Sequence, residues 1–218
     1  MAEEELGPLP AGRHGFSREQ VAHNQRERLI AGLATAVAEH GYNAVTITHI
    51  TKAARVSRRV FYENFESKEA CFLAAFDVVV DHIGALVGEA VQAAPDWPHQ
   101  AIAAARQALA FLASEPELAR LCLVDAQSAG PVVAARFLAA VGELEAPLRR
   151  GRDERRDERP LPPTTEESTI GALVSLAARK VSAGEAESLG DLLPDFTQFI
   201  LAPYLGPDEA ERLVQQPV

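Results

Sequence analysis

Arg58 and Arg59 stand side by side directly after Ser57, within Val56-Ser57-Arg58-Arg59-Val60-Phe61-Tyr62-Glu63-Asn64-Phe65. A guanidinium fork donates two hydrogen bonds at once, to guanine O6 and N7 or to a phosphate. Ser57 is a natural N-cap, because its hydroxyl accepts from an early helical N–H. Both arginines then fall in the first turn of a short helix. The helix macrodipole favours anions at that end, so two cations there oppose the local electrostatics unless an anionic partner meets them. A plain pair of solvated arginines is the competing reading. Tyr62 lies off the apolar stripe, with its hydroxyl free for a phosphate. Lys68 opens the next helix, within reach of the same backbone. Thr46 and Thr48 begin the preceding helix, where hydroxyls and unpaired N–H groups hold phosphate. Thr46 as an ordinary N-cap fits equally well.

These residues need a frame. Thr46–Arg55 reads as one short helix and Ser57–Phe65 as a second, joined by a tight turn. That pairing, with the second helix basic at its start, is how a helix-turn-helix presents itself to a major groove. Ala53 and Ala54 are small enough for close helix approach, and Ile50, Val56, Val60, Phe61 and Phe65 supply a core. Ahead of them, Ser17 to Gln20 has capping-box form. The helix it opens carries Leu29, Ile30, Leu33, Ala34, Val37 and Ala38 on one stripe. Gly41, after His40, suits a left-handed C-terminal position. Residues 1–16 read as a disordered arm.

The rest is also helical by its spacing of three and four, so the fold class is all-α. Ser67-Lys68-Glu69 opens a helix faced by Phe72, Phe76, Val80, Ile83 and Val87, which Pro95 breaks. Pro98, Pro116 and Pro131 suit first helical positions, giving helices over 98–114, 116–127 and 131–152. Residues 149–163 read as a solvated helix end plus a loop. Two long helices close the body. Ile170, Leu173, Val174, Ala177 and Val181 line one; Leu192, Leu193, Phe196, Phe199, Ile200 and Tyr204 line the other. Pro194 fits in the first turn of the latter, and a short helix follows Gly206-Pro207. The expected division is an arm over 1–16, a helix-turn-helix domain over 17–66 and a larger helical domain over 67–218.

The net charge of -10 is unevenly spread. Residues 13–69 carry nine Lys/Arg against six Asp/Glu, whereas residues 70–218 carry 12 against 22. A mildly basic module on an acidic body points to one nucleic-acid face. No uninterrupted apolar run approaches the ~20 residues of a span, and the acidic start has the wrong sign for a secretory leader. A cytoplasmic protein with no membrane partner is expected. Cys71 and Cys122 have neither metal nor disulfide spacing and read as small core residues. The six histidines show no metal-type pairing, and neither a phosphate loop nor a nucleophile elbow occurs. No enzyme, catalytic residue, metal or cofactor is expected.

Over Thr46–Phe76, and most specifically over Val56 to Ala70, the chain resembles the TetR family of bacterial transcriptional regulators. An aromatic-Tyr-x-x-Phe ending that runs into Ser-Lys-Glu carries the likeness. The resemblance implies a homodimer with one recognition helix per subunit, binding a palindromic double-stranded DNA operator. It also implies a body that holds a small-molecule effector and releases DNA when the effector binds. The DNA-contacting set it suggests is Thr46, Thr48, Arg58, Arg59, Tyr62 and Lys68, with Ser57 as the cap. Asn64 stands where many relatives place a phosphate-contacting His. Arg55 stands where Gly is usual in the turn, and a positive φ there costs ~1–2 kcal/mol.

The resemblance also implies that the last two long helices pair with their twins. Ile170, Val174, Ala177, Phe196, Phe199 and Tyr204 are the candidate interface, though an ordinary intrachain core explains the same stripes. Candidate effector walls are Phe72, Phe76, Trp97, Phe111, Leu112, Phe137 and Leu138, with Asp125 and Gln127 as orienting polar groups. Plain core is again the competing reading. This apolar bias predicts a hydrophobic effector. The helix bearing Phe72 and Phe76 is the expected lever between body and reading heads. The alternative function is a helical ligand-binding or interaction protein of the same fold without operator binding.

Overall fold

The first helix, α1 (Arg18–His40), buries Leu29, Leu33, Ala34 and Val37, the stripe that the sequence marks. It ends at Gly41, whose φ of 72° is the left-handed conformation a glycine adopts without strain. The computed structural model describes residues 18–155 and 160–215; the arm expected over 1–16 and the Ser17 cap lie outside them. Helix α2 (Ile47–Ala53) is capped by Thr46, whose hydroxyl accepts from His49 N–H at 3.3 Å. Helix α3 (Arg58–Asn64) is capped by Ser57, which accepts from Val60 N–H at 3.2 Å. Helices α1 and α2 touch backbone to backbone. A Cβ on Gly32 would lie 2.6 Å from Ala54 N and 2.9 Å from Ile50 O. The small Ala54 meets an equally small partner.

Helix α4 (Lys68–Ala93) starts at Ser67, which accepts from Ala70 N–H at 3.0 Å. Its first half is core, with Cys71, Phe72, Ala75, Phe76 and Val79 buried. By length and composition alone α4 is apolar enough to cross a membrane. In this fold it packs along α5 (Trp97–Ser114), which Asp96 caps by accepting from His99 N–H at 3.1 Å. Helix α6 (Pro116–Leu123) gives way to a 3-10 turn at Asp125–Ser128. Helices α7 (Pro131–Glu143) and α8 (Glu145–Arg149) follow, then a 3-10 turn at Arg150–Glu154. The continuous helix expected over 131–152 is therefore broken. Pro147 has no N–H to donate to the carbonyl four residues earlier, that of Glu143, where α7 stops. Last come α9 (Thr165–Ser182), a 3-10 turn at Ala186–Leu192, α10 (Leu193–Leu205) and α11 (Pro207–Gln215).

Two apolar clusters organise the molecule. One joins α1–α3 to α4, α6 and α7, placing Leu33, Ile50, Phe61, Phe65, Phe72, Phe76, Leu121 and Phe137 in one core. The other holds α5, α6 and α8–α11 together. Ile83, Phe111, Val141 and Val174 pack against both. The fold is thus an N-terminal three-helix helix-turn-helix unit followed by a larger helical domain, and the first core spans the join. Burial pushes both thiols, Cys71 and Cys122, up to about 12, so they sit as inert core residues.

Residues 149–163 are not simply solvated. Arg152 donates from Nε and Nη2 to the two carboxylate oxygens of Glu166, each at 2.8 Å. It also donates to Leu161 O and Pro162 O. Glu166 is 1% exposed and accepts from Tyr204 Oη at 3.0 Å. This network ties the loop before α9 to α10.

Candidate nucleic-acid interface and ligand cleft

The geometry of α3 divides it into two faces. Phe61 and Phe65 point into the core, and Val60 is half-buried against it. Ser57, Arg58, Arg59 and Tyr62 are exposed, Tyr62 at 54%. Thr46 and Thr48, at the start of α2, are exposed as well. Arg59 Nε pairs with Glu63 at 2.8 Å, one turn on. With both partners exposed, such a pair holds the guanidinium weakly. Asn64 turns back on its own helix, donating from Nδ2 to Val60 O at 2.9 Å.

The turn that aims α3 is built by a residue the motif does not mark. Arg55 has φ 53°, the one non-glycine positive φ among the described residues. Arg28, buried on α1, donates to Ala54 O at 2.6 Å and to Arg55 O at 2.8 Å. Those carbonyls end α2 and have no helical partner. Arg28 therefore closes α2 and fixes the strained turn in one contact. Beside it, Arg26 lies 4.4 Å above the Phe65 ring.

Lys68 is committed within the protein. Its ammonium donates to Tyr42 O at 2.7 Å and Val45 O at 3.0 Å, and sits 4.1 Å from the Tyr42 ring centroid. Burial lowers its pKa from the ordinary lysine value. Desolvation, with the Glu69 carboxylate second, raises that of Tyr42. Lys68 thus holds the α1–α2 loop, which carries Thr46, against the start of α4.

A cleft of about 470 Å³ opens between α6, α7 and α9. Its walls are Leu123, Val124, Gln127, Phe137, Leu138, Val141 and Val174, with Ser175, Arg179 and Ser182 at one side. Of the residues expected to line a pocket, Gln127, Phe137 and Leu138 do so. Phe72 and Phe76 belong to the first core, where Phe76 meets Phe137 edge-on. Trp97 and Leu112 belong to the second, with Trp97 Nε1 donating to Pro147 O at 3.0 Å. Phe111 bridges the two cores. Asp125 is 5% exposed and faces the head instead: Oδ1 accepts from Tyr42 N–H at 3.2 Å. Of the candidate interface residues, Ile170, Ala177, Phe196 and Tyr204 are buried within the chain. Val174 lines the cleft, and Phe199 is left 57% exposed.

Residues 29–75 match the family described as "Bacterial regulatory proteins, tetR family". A search of the curated proteins finds no match for this sequence. Among solved structures, the chain is similar to the fatty acid degradation regulator FadR from Bacillus halodurans. The two are 19% identical, with a TM-score of 0.71 over 80% of this chain and 97% of that one. FadR from Bacillus subtilis, in complex with stearoyl-CoA, is 16% identical at a TM-score of 0.70, over 83% and 98%. AibR, in complex with isovaleryl coenzyme A and operator DNA, is 15% identical at 0.58, over 74% and 96%. At these identities the likeness is one of fold. The matched segment runs from within α1 through α2 and α3 into α4, so the tetR-family likeness covers the helix-turn-helix unit, and the larger helical domain shares its fold with these solved structures.

Proposed function

We propose that the protein is a ligand-responsive repressor in the cytoplasm, binding a palindromic operator as a homodimer and released by a small effector. The carrying observation is the exposed face of α3. A capped N-terminus presents Arg58 and Arg59 to solvent with Tyr62 a turn behind, while the opposite face is locked into the core. An exposed first turn of this kind suits base edges, and Thr46, Thr48 and Tyr62 suit phosphates. Lys68 contributes by holding the loop that carries Thr46.

The cleft supports an apolar effector with a polar or acidic group. Leu123, Phe137, Leu138, Val141 and Val174 meet the apolar part, and Arg179, Gln127 and Ser175 meet the rest. Its volume falls within the ~300–1,000 Å³ of ordinary ligand sites. Acyl thioesters are the class to try first, since two proteins of similar fold hold stearoyl-CoA and isovaleryl coenzyme A. For the dimer, the exposed faces of α9 and α10 outside the cleft, with Ser168, Ala172 and Phe199, are the surfaces left for a second copy. Titrating the full chain against DNA from upstream of its own gene tests the reading. Sequence-specific binding supports it; binding no tighter than to unrelated DNA leaves the same fold acting without an operator.

A further inference from the structure

The 3-10 turn Asp125–Ser128 faces two ways. Leu123, Val124 and Gln127, on either side of Asp125, line the cleft. Asp125 itself turns inward and accepts the backbone N–H of Tyr42, 83 residues away in sequence. Its second oxygen, Oδ2, lies 3.3 Å from Arg120 Nε, but the pair is misaligned and both atoms lack a hydrogen bond. Tyr42 is also gripped from the other side, by Lys68 at its carbonyl and over its ring. Its ring packs edge-on against Phe72, with centroids 5.0 Å apart. The α1–α2 loop is therefore clamped between the cleft wall and the start of α4 at Tyr42, four residues ahead of the Thr46 N-cap of α2.

We propose that Asp125 is the positioning residue that couples the cleft to the reading head, by holding Tyr42 N–H only while the cleft is unfilled. This rests on the regulator reading above. A 3-10 turn has poorer hydrogen-bond geometry than an α-helix and shifts register at lower cost. A group wedged against Leu123, Val124 and Gln127 displaces the turn as a unit and draws Asp125 with it. The misaligned Arg120 then gains a better-directed carboxylate, and Tyr42 N–H loses its acceptor. The α1–α2 loop is then held by Lys68 and by the packing of Tyr42 on Phe72, and α2 is fixed less firmly relative to the cleft wall. An occupant that prefers the displaced turn thereby disfavours the DNA-competent head.

Hydrogen exchange at the Tyr42 amide tests this without any ligand. Leu138→Trp, at a 67% exposed rim position, and Ser175→Trp, on the opposite wall, fill the cleft. Asp125→Ala removes the acceptor. In each variant with a native circular dichroism spectrum, Tyr42 N–H is expected to exchange at least ~10-fold faster, as loss of one buried bond implies. Adding Leu138→Trp to Asp125→Ala should bring no further rise. Wild-type exchange in both cleft-filled variants overturns the coupling, and so does a double variant whose rise is the product of the single rises. The readout needs no DNA, so an absence of operator binding sinks the regulator reading and leaves this result standing.

Discussion

The guanidinium of Arg28 closes the turn at Arg55, donating to its carbonyl at 2.8 Å and to that of Ala54 at 2.6 Å. One arginine thus satisfies the end of α2 and steadies the positive φ of another, and the direction of α3 depends on both. Charge-assisted bonds to buried carbonyls are worth more than neutral ones. Arg28→Met is expected to cost about 3 kcal/mol of stability. Arg55→Gly should do the opposite. It relieves ~1–2 kcal/mol of left-handed strain against ~0.5–1 kcal/mol of added chain entropy, a net gain of roughly 1 kcal/mol. Urea unfolding measures both; a destabilised Arg55→Gly contradicts the strained-turn account.

Arg58 and Lys68 should behave differently on mutation. Arg58→Ala removes an exposed side chain, so its melting temperature should match wild type while preference at particular bases relaxes by ~1–3 kcal/mol. Lys68→Ala frees the Tyr42 and Val45 carbonyls. It should lower thermal stability and weaken every DNA sequence alike, through a loosened α1–α2 loop. A Lys68→Ala protein that melts like wild type argues for a direct phosphate contact instead.

The buried carboxylate of Glu166 predicts an acid limb. Its hydrogen bonds from Arg152, ahead of the opposing desolvation, hold its pKa below the ordinary 4.5. A depressed folded pKa contributes stability that is complete above the unfolded value and lost as pH falls through the folded one. Melting temperature should therefore drop as pH goes below about 4.5, and Glu166→Gln should flatten that part of the curve while being less stable at pH 7. An acid limb of unchanged slope in Glu166→Gln locates the titration elsewhere.

The helix-turn-helix was legible in the sequence because its determinants are local. Ser57, Thr46 and Ser67 cap the helices they precede, and an apolar stripe places Phe61 and Phe65 in the core. Gly41 adopts the left-handed conformation its position asks for. What was not legible depends on contacts between distant segments. Arg28 carries no mark that two carbonyls 26 and 27 residues on await it. Nothing near Arg152 shows that Glu166 is buried against it. Nothing in the sequence around Gly32 shows that the end of α2 packs against it at Ala54. The apolar residues Phe72, Phe76, Trp97 and Leu112 illustrate a different limit. Periodicity says that a side chain is buried, and only packing says whether it meets another side chain or a cavity.

The central claim, that α2 and α3 form a DNA-reading head, is tested most directly by the salt dependence of binding to DNA upstream of the gene. Two heads that each meet several phosphates release counterions on binding. For ~6–10 neutralised phosphates, log affinity should fall with log salt at a slope of about -5 to -9. Affinity that is flat with salt, or no binding to upstream DNA at any salt concentration, would contradict the account.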